Sequence, residues 1–433
     1  MESIVSPQTL LNDEDNNKEI SDDLIKYFLT TRNQTEELCL PLETEDYCIQ
    51  TFENVSPIKW HIAHTSWFFE NFLLTPYLKN YTPFHPTFSH LFNSYYELAG
   101  TFHPRSERGL LSRPTVKEIF EYRKYVNEAM LKLLKSPHQQ NIKDILLRTT
   151  LGIHHEQQHQ ELMLTDIKHI FNYNPLKPVY LKSNLPQSKQ HIPAQWLEYD
   201  EGIYEIGANY SEEFIFDNES PKHKVYLSSF AIASQLVKNS DFIAFIDDGG
   251  YNKPQYWLSD GWKTVQTNLW QAPLYWYKEN NTWFHFTLGG NKPVDLDSPV
   301  CHVSYFEADA FARWKNCRLP SEAEWEHAAK KTPIEGNLRE SKFYHPISSS
   351  NNSLNQFYGD VWEWTQSTYS PYPKYKASRG ALGEYNGKFM CSQFVLKGGS
   401  CVTPKNHIRG TYRNFFYPTD QWQFSGIRLA KDI

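Results

Sequence analysis

The sequence predicts a multidomain α and α+β protein, in which an N-terminal four-helix bundle precedes a larger α+β domain. Three observations support this prediction. The chain has 433 residues, which is more than one ordinary hydrophobic core holds. Apolar residues recur with helical spacing before residue 172. From Trp196 onward, short strand-like pieces alternate with turns and aromatic loops instead.

Composition narrows the class of protein and its partners. The net charge is -7 without a long basic run, which disfavours a nucleic acid or a membrane surface as partner. The N-terminus lacks the basic start and apolar core of a secretory signal, and no apolar run approaches membrane-spanning length. The six cysteines form no CxxC pair. We therefore expect a cytoplasmic protein with reduced thiols, and its oligomeric state is left open.

Changes in composition predict the domain boundaries. Residues 1–19 are polar and are expected to form a disordered tail, followed by the helical bundle at 20–172. Residues 173–195 are rich in proline, lysine and serine and lack periodicity, so we interpret them as a linker. The second domain is then expected at 196–433.

The four helices of the bundle can be located from signals at their N-termini. Ser21 precedes two acidic residues, as is typical of an N-cap. Ser56 precedes a proline and is the expected N-cap of the second helix. Thr115 and Glu118 have the spacing of a capping box. The expected helices cover 22–38, 57–74, 115–134 and 142–170.

The fourth helix carries two histidines at a spacing that metal sites use. His155 and His159 are four residues apart, so a helix places both imidazoles on one face, one turn apart. They could bind one metal ion if another helix supplies a third ligand and open coordination positions remain. The alternative interpretation is a pair of polar residues on a partly hydrated helix face.

A third ligand is expected from the second helix. Trp60, His64 and Trp67 follow helical spacing, which places His64 between two indoles on an inward stripe. Metal sites in helical bundles are built from side chains on facing helices. His61 is the competing candidate, and a core histidine hydrogen-bonded to a carbonyl is the alternative without a metal.

A long aromatic loop at 75–112 is expected to carry function. Loops of this length inside a domain are usually functional or disordered, and this one is too aromatic for disorder. It contains the adjacent phenols of Tyr95 and Tyr96. It also contains Arg105 and Arg108, whose spacing would suit a clamp for a carboxylate. Packing tyrosines and solvated surface arginines are the alternatives.

The second half has the short strand-like pieces, turns and irregular loops that are typical of an α+β domain. Short strands are expected near 204–207, 224–227 and 229–232, and two helices near 239–246 and 304–314. No internal repeat is evident.

Four motifs in this half resemble the formylglycine-generating-enzyme (sulfatase-modifying factor) domain. They are RLPSEAEWE at 318–326, GDVWEW at 359–364, KGGS at 397–400 and SGIR at 425–428. That domain is a variant of the C-type-lectin-like fold, and the first half resembles a DinB-like helical bundle. The expected fold class is therefore a DinB-like four-helix bundle followed by a C-type-lectin-like formylglycine-generating-enzyme fold.

The two halves together resemble the iron(II) sulfoxide synthases of ergothioneine biosynthesis. The resemblance rests on His64 ahead of an aromatic run, and on the stretch from His155 to His159 with Gln158 inside it. It implies that His64, His155 and His159 bind non-haem Fe(II). It also implies an oxidoreductase that uses O2 to join the sulfur of cysteine to the imidazole C2 of hercynine (Nα-trimethylhistidine), giving hercynylcysteine sulfoxide.

The resemblance also implies roles for loop residues. One phenol of Tyr95 and Tyr96 is expected to act as proton donor, and we favour Tyr95. Arg105 and Arg108 follow the tyrosines as in members that hold the carboxylate of free cysteine, so we prefer cysteine over γ-glutamylcysteine. Gln158 resembles the residue that contacts the substrate imidazole.

The trimethylammonium group of hercynine favours aromatic faces and amide oxygens. The segment with Asn414, Phe415 and Phe416 offers both, and it matches the substrate-binding segment of the family. Phenylalanines packed in an ordinary core are the alternative interpretation.

Several alternatives share this architecture. The thiol could be γ-glutamylcysteine, the enzyme could be a 5-histidylcysteine sulfoxide synthase of the ovothiol type, or it could be a selenium-transferring (selenoneine-type) relative. A zinc thiol-transferase of the DinB type and a non-catalytic lectin-like binding protein represent other classes. Cys401 follows the Gly-Gly-Ser motif without a cysteine partner a few residues on, so the cysteine oxidation of formylglycine-generating enzymes is not supported.

Overall fold

The computed structural model describes residues 21–136, 141–182, 185–186, 194–209, 214–348 and 356–433. The predicted tail at 1–19 and part of the predicted linker at 173–195 lie outside these residues. Two compact units are present. The first comprises Met1–Tyr173, Tyr210–Phe216 and Ala377–Asn386, and the second comprises Asn174–Asn209, Asp217–Lys376 and Gly387–Ile433. The predicted domain bounds, 20–172 and 196–433, stay a prediction.

Four long helices build the first unit: α1 Asp22–Cys39, α2 Ile58–Phe69, α3 Val116–Lys135 and α4 Ile142–Tyr173. Two predicted caps are confirmed. Ser21 Oγ accepts a hydrogen bond from the backbone N–H of Leu24, and Thr115 forms the capping box with Glu118. α1 and α2 both pack against α4, and α2 also packs against α3. None of the described helices combines the length and apolarity needed to cross a bilayer.

The chain between α2 and α3 contains only short elements. They are a π-helical turn at Glu70–Leu74, short helices at Thr75–Tyr77 and Phe88–Leu91, and 3-10 turns at Glu97–Ala99 and Arg105–Leu110. The aromatic loop is therefore ordered without a long helix, as its sequence predicts.

The predicted N-cap of α2 is wrong by one residue. The helix has Pro57 at its N-cap, without a capping bond from a side chain. The Ser56 hydroxyl instead accepts a hydrogen bond from Arg108 Nη1 at 3.0 Å. The Ser56 backbone N–H donates to Asp166 Oδ2 at 2.9 Å. Ser56 therefore ties the start of α2 to the aromatic loop and to α4.

Gly152 allows α2 and α4 to approach each other closely. A Cβ at this position would lie 2.6 Å from Phe69 Cε1 and 3.0 Å from Phe68 Cε1, and both rings belong to α2. Any larger residue would push the rings or the helices apart. His155 lies within one turn of Gly152, and its ring centroid is 4.6 Å from that of Phe68. The close approach therefore brings the histidine face of α4 towards α2.

A buried ion cluster joins α1, α3 and α4. The Glu156 carboxylate accepts from Arg32 Nη1 at 2.8 Å and from Arg123 Nη2 at 2.5 Å, and all three side chains are fully buried. Burial alone would raise the pKa of Glu156, but the two guanidinium groups overcome this effect and lower that pKa to about 2. The carboxylate is therefore charged at neutral pH, and its charge compensates that of its partners.

The described part of the second unit contains four α-helices, α5 Asn239–Asp247, α6 Ser259–Asn268, α7 Tyr305–Trp314 and α8 Glu322–Ala329. The two predicted helices correspond to α5 and α7. The other two helices, α6 and α8, were not predicted from the sequence. α8 begins with a capping box from Ser321 to Glu324, which is the local signal that could have located it.

The strands of the second unit are short and pair mostly in antiparallel fashion. They are β1 Trp196–Tyr199, β2 Gly202–Ile206, β3 His223–Leu227, β4 Phe230–Ala233, β5 Trp276–Glu279, β6 Thr282–Thr287, β7 Gly290–Pro293, β8 Trp362–Thr368, β9 Phe394–Lys397, β10 Asn414–Phe416, β11 Ser425–Gly426 and β12 Ala430–Asp432. The sheet orders are β1-β4-β12, β10-β9-β8-β11, β2-β3 and β5-β6-β7, with β8 and β11 parallel.

Residues of all four sequence motifs of this half meet in the core. Lys397 of the KGGS motif pairs with Glu326 at 3.2 Å and lies over the ring of Trp325. Glu363 accepts hydrogen bonds from Arg428 Nε and from Trp325 Nε1, each at 2.6 Å, and all three side chains are buried. Burial raises the pKa of Glu363, while Arg428 opposes this shift. These motif residues therefore stabilise the fold of the second unit.

Removing the charge of Glu156 should destabilise the helical unit. Glu156→Gln removes the carboxylate that pairs with the buried Arg32 and leaves the buried Arg123 with its pair to Glu36, so we expect the free energy of unfolding of this unit to fall by roughly 3–5 kcal/mol. Urea unfolding of the full chain, followed by circular dichroism of the helices, measures the change. The control is Glu121→Gln, which removes a surface pair with Lys117 and should cost less than about 0.5 kcal/mol. Equal losses in both variants would contradict the assignment.

Candidate active site

Three histidine side chains converge between α2 and α4. His64 comes from α2, and His155 and His159 come from α4. One ring nitrogen of each lies within 4.8 Å of the other two, and all three side chains are buried. Among the residues that the structure describes, they are the one group of histidine, cysteine and carboxylate side chains arranged to hold a metal ion.

Two indoles hold His64 in place, as the helical spacing predicts. Its ring stacks on Trp60 with the centroids 4.6 Å apart and on Trp67 with the centroids 5.3 Å apart. His64 Nδ1 lies 2.6 Å from the carbonyl oxygen of Phe92. Since a carbonyl only accepts, Nδ1 carries the proton and Nε2 keeps its lone pair. This Nε2 faces His155 Nε2 at 3.1 Å.

Burial keeps the three imidazoles neutral. It lowers the pKa of His155 to about 3, against the opposing effect of the Glu156 carboxylate. Burial, and next the neighbouring His155, also lower the pKa of His64 and of His159 well below the ordinary value. Neutral imidazole is the form that binds a metal ion, so no proton has to leave at neutral pH before coordination.

The donor set fits a divalent transition metal. Two imidazole nitrogens that each lie about 2.1 Å from one ion, at right angles, are separated by about 3 Å. The separation of 3.1 Å between His64 Nε2 and His155 Nε2 agrees with this arrangement. Imidazole suits iron, zinc, copper and nickel, so the donor set is compatible with iron without selecting it. Three protein ligands also leave positions open for substrates.

The two predicted arginines have different surroundings. Arg108 is buried, and its guanidinium carbon lies 3.4 Å from the ring centroid of Trp60. Its Nη1 donates to Ser56, whereas its Nε has no hydrogen-bond partner among the described residues. Burial, and next the charge of Arg105, lower the pKa of Arg108 well below its ordinary value. Arg105 is exposed, and its Nη2 donates to the carbonyl oxygen of Asn54 at 2.7 Å.

The two tyrosines of the aromatic loop also differ. Their rings stack with the centroids 4.6 Å apart, but Tyr95 is half-buried and Tyr96 is fully buried. The Tyr95 hydroxyl donates to the carbonyl oxygen of Tyr385 at 3.4 Å. Burial, and next the neighbouring Tyr95, raise the pKa of Tyr96 well above its ordinary value. Tyr96 packs against Trp67, which is the indole next to His64.

Tyr385 is a residue of the candidate site that sequence reasoning missed. It belongs to the segment Ala377–Asn386, which folds with the first unit despite its position far along the chain. The Tyr385 hydroxyl donates to Gln158 Oε1, and its ring meets the edge of His155 with the centroids 5.7 Å apart. The chain has 27 tyrosines, and no local spacing distinguishes this one. Only the long-range contact identifies it.

Glu384 fastens the same segment to the aromatic loop. Its carboxylate accepts hydrogen bonds from the backbone N–H groups of Glu97 at 3.0 Å and Leu98 at 2.9 Å. These N–H groups open the 3-10 turn directly after the tyrosine pair. Together with the bond from Tyr95 to the Tyr385 carbonyl, they hold the loop and Tyr385 side by side.

The predicted substrate residues of the second half form strand β10. Phe415 stacks on Tyr369 with the centroids 4.1 Å apart, and Phe416 meets Trp422 edge-on with the centroids 5.4 Å apart. Asn414 Oδ1 accepts the backbone N–H of Phe415 at 3.0 Å. All three residues of the strand are partly exposed. The ring of Phe415 and the amide oxygen of Asn414 thus already have partners within the second unit, and contact of the strand with a substrate stays a prediction.

Two family models match the chain. The DinB superfamily matches residues 27–163, and the sulfatase-modifying factor enzyme 1-like domain matches residues 183–345 and 339–433. The latter covers more than half of the chain. The predicted fold class, a helical DinB-like region followed by a formylglycine-generating-enzyme-like domain, is confirmed.

Curated relatives extend the comparison over both parts of the chain. A hercynine oxygenase of Mycolicibacterium smegmatis is 31% identical over 313 residues, covering 66% of this chain and 72% of that protein. A hercynine oxygenase of Mycobacterium tuberculosis is 29% identical over 416 residues, covering 90% and 94%. Ergothioneine biosynthesis protein 1 of Schizosaccharomyces pombe is 27% identical over 232 residues, covering 51% and 28%. The chain therefore belongs to the hercynine oxygenase family.

Proposed function

We propose that the chain is an iron(II)-dependent sulfoxide synthase that uses O2 to join the sulfur of cysteine to the imidazole C2 of hercynine. The product would be hercynylcysteine sulfoxide, in ergothioneine biosynthesis. The convergence of three neutral histidines, in a chain of this family, is the observation that carries the proposal. The reaction balances, because the thiol hydrogen, the C2 hydrogen and one oxygen atom leave as water, and the other oxygen atom becomes the sulfoxide.

The three histidines would hold Fe(II), which when bound supplies the redox chemistry with O2 that this reaction requires. Apolar, aromatic side chains pack against the three histidines. Trp60 and Trp67 cover the two faces of His64, and Phe68 packs on His155. Excluding water in this way strengthens every polar contact that orients a substrate.

The surroundings of Arg108 support cysteine as the thiol substrate. Its guanidinium is a buried cation held flat on Trp60, with donor capacity that the described residues do not use. A planar guanidinium binds a carboxylate through paired hydrogen bonds.

For hercynine, we assign the imidazole to Gln158 and Tyr385. The two side chains are hydrogen-bonded to each other, and the Tyr385 ring lies beside His155. They can therefore orient the imidazole of hercynine next to the three histidines. That Asn414, Phe415 and Phe416 bind the trimethylammonium group stays a prediction from the sequence.

Two phenols qualify as the proton donor. Tyr95 remains the candidate from the sequence, and its hydroxyl is half-buried beside Tyr385. Tyr385 is added because its hydroxyl already bonds Gln158, the residue between the two histidines of α4. Tyr96 is fully buried against Trp67 and would support the ring of Tyr95.

Product analysis tests the proposed reaction. The full chain is loaded with Fe(II) without air and mixed with hercynine, cysteine and then O2, while oxygen uptake and product mass are followed. We expect a sulfoxide conjugate that is absent with His155→Ala and present with the control His85→Ala, which changes an exposed histidine. A conjugate with γ-glutamylcysteine alone, or with histidine instead of hercynine, would change the substrate assignment. No oxygen uptake with any thiol would overturn the proposal.

The two arginines should determine the affinity for the thiol. We expect Arg105→Ala and Arg108→Ala each to raise the KM for cysteine at least about tenfold, because a charge-assisted hydrogen bond contributes about 1.5–3 kcal/mol. The KM for hercynine should change far less in both variants. Arg113→Ala, which changes another exposed arginine, is the control and should leave both constants unchanged. An equal rise of the two KM values would refute the carboxylate clamp.

Phenylalanine variants distinguish the three tyrosines. A positioned proton donor contributes about 10²–10⁴-fold to the rate, so we expect Tyr385→Phe to lower kcat by at least about 10²-fold with little change in the KM for cysteine. Tyr96→Phe keeps the stacked ring and should retain most of the activity. A large loss in Tyr95→Phe with a nearly unchanged Tyr385→Phe would assign the donor to Tyr95, as the sequence predicts.

A further inference from the structure

His61 lies behind the three histidines and contacts one of them. Its Nδ1 is 2.8 Å from His159 Nδ1, and its Nε2 is 2.9 Å from Asp166 Oδ2. All three side chains are buried. Asp166 Oδ2 also accepts the backbone N–H of Ser56 at 2.9 Å, which holds the carboxylate at the start of α2. A continuous hydrogen-bonded chain therefore runs from Asp166 through His61 to His159.

The chemistry of the three groups fixes the direction of these hydrogen bonds. A carboxylate only accepts, so His61 Nε2 carries the proton that it donates to Asp166. In the tautomer with its single proton on Nε2, His61 has a lone pair on Nδ1, and His159 Nδ1 is then the donor in the contact between the rings. His159 Nε2 is left unprotonated, which is the state that a metal ligand needs.

From this geometry, we propose that His61 and Asp166 are positioning residues for His159. They hold it in the tautomer with the proton on Nδ1 and turn its Nε2 towards the other two ligand nitrogens. The inference rests on the metal site proposed above. It also explains why His61 is not the ligand from α2, because His159 Nδ1 and Asp166 Oδ2 already engage both of its ring nitrogens.

The three ligands are held in three different ways. The carbonyl oxygen of Phe92 orients His64. His155 Nδ1 has no hydrogen-bond partner among the described residues. Within the part of the chain that the structure describes, His159 is the one ligand hydrogen-bonded towards a carboxylate, through His61. Without this connection, His159 could carry its proton on Nε2, and that proton would have to move before a metal ion could bind. Partners of this kind contribute about 10–100-fold to metal affinity in other proteins.

Metal affinity gives the first test. Asp166→Leu removes the acceptor with little change in size, and we expect the Kd for Co(II), followed by visible absorption of the full chain, to rise about 10–100-fold. His61→Phe keeps a ring in place and should have the same effect. Asp166→Asn keeps an acceptor oxygen and should lose less affinity. The control is His169→Phe, since His169 lies on the same helix but bonds Thr51, and it should change the Kd less than about twofold.

The tautomer of His159 gives a second test that needs no metal. In the metal-free full chain with ¹⁵N-labelled histidine, nuclear magnetic resonance identifies the protonated ring nitrogen. We expect Nδ1–H in the wild type and a shift towards Nε2–H in Asp166→Leu and in His61→Phe. If either folded variant kept both the Co(II) affinity and the tautomer of the wild type, the inference would be wrong. A wild-type chain that bound no Co(II) would refute the proposed metal site instead, while the tautomer still tests the positioning of His159.

Discussion

The close packing of α2 against α4 is the constraint on which the candidate site depends. His64 Nε2 and His155 Nε2 come from different helices, and their separation of 3.1 Å tolerates little change in the distance between the helix axes. Gly152 removes the side chain at the point of contact. The cluster around Glu156 then ties α4 to α1 and α3. The interactions that stabilise the bundle therefore also set the spacing of the ligands.

Charged groups surround the three histidines without touching the nitrogens that would bind a metal. Asp166 is separated from His159 by one imidazole, and Arg108 is separated from His64 by one indole. Burial keeps the ligands themselves neutral. A divalent ion would therefore keep its full charge for a thiolate, because a coordinating metal favours the deprotonated thiol. In the roles proposed above, the fixed charges one ring away would orient His159 and bind a substrate carboxylate.

A short segment from far along the chain completes the helical unit. Ala377–Asn386 brings Tyr385 to Gln158 and Glu384 to the turn after the tyrosine pair. The backbone carbonyl of Tyr385 also receives the Tyr95 hydroxyl. The two phenols proposed for proton transfer are therefore held together by bonds between a loop and a segment that are distant in the sequence. Such an arrangement lets the chemistry of the bundle depend on residues that no helix of the bundle carries.

The sequence by itself determined the helices of the bundle, the common face of His155 and His159, the place of His64 between two indoles, and the fold class. Caps and helical periodicity are local, so they can be recognised without contacts. Only the tertiary structure decided that His64, and not His61, joins the pair on α4, and that the Ser56 hydroxyl serves Arg108 instead of capping α2. It also brought Tyr385 to the site. These outcomes depend on which distant side chain offers a hydrogen-bond partner, and no spacing along the chain encodes that.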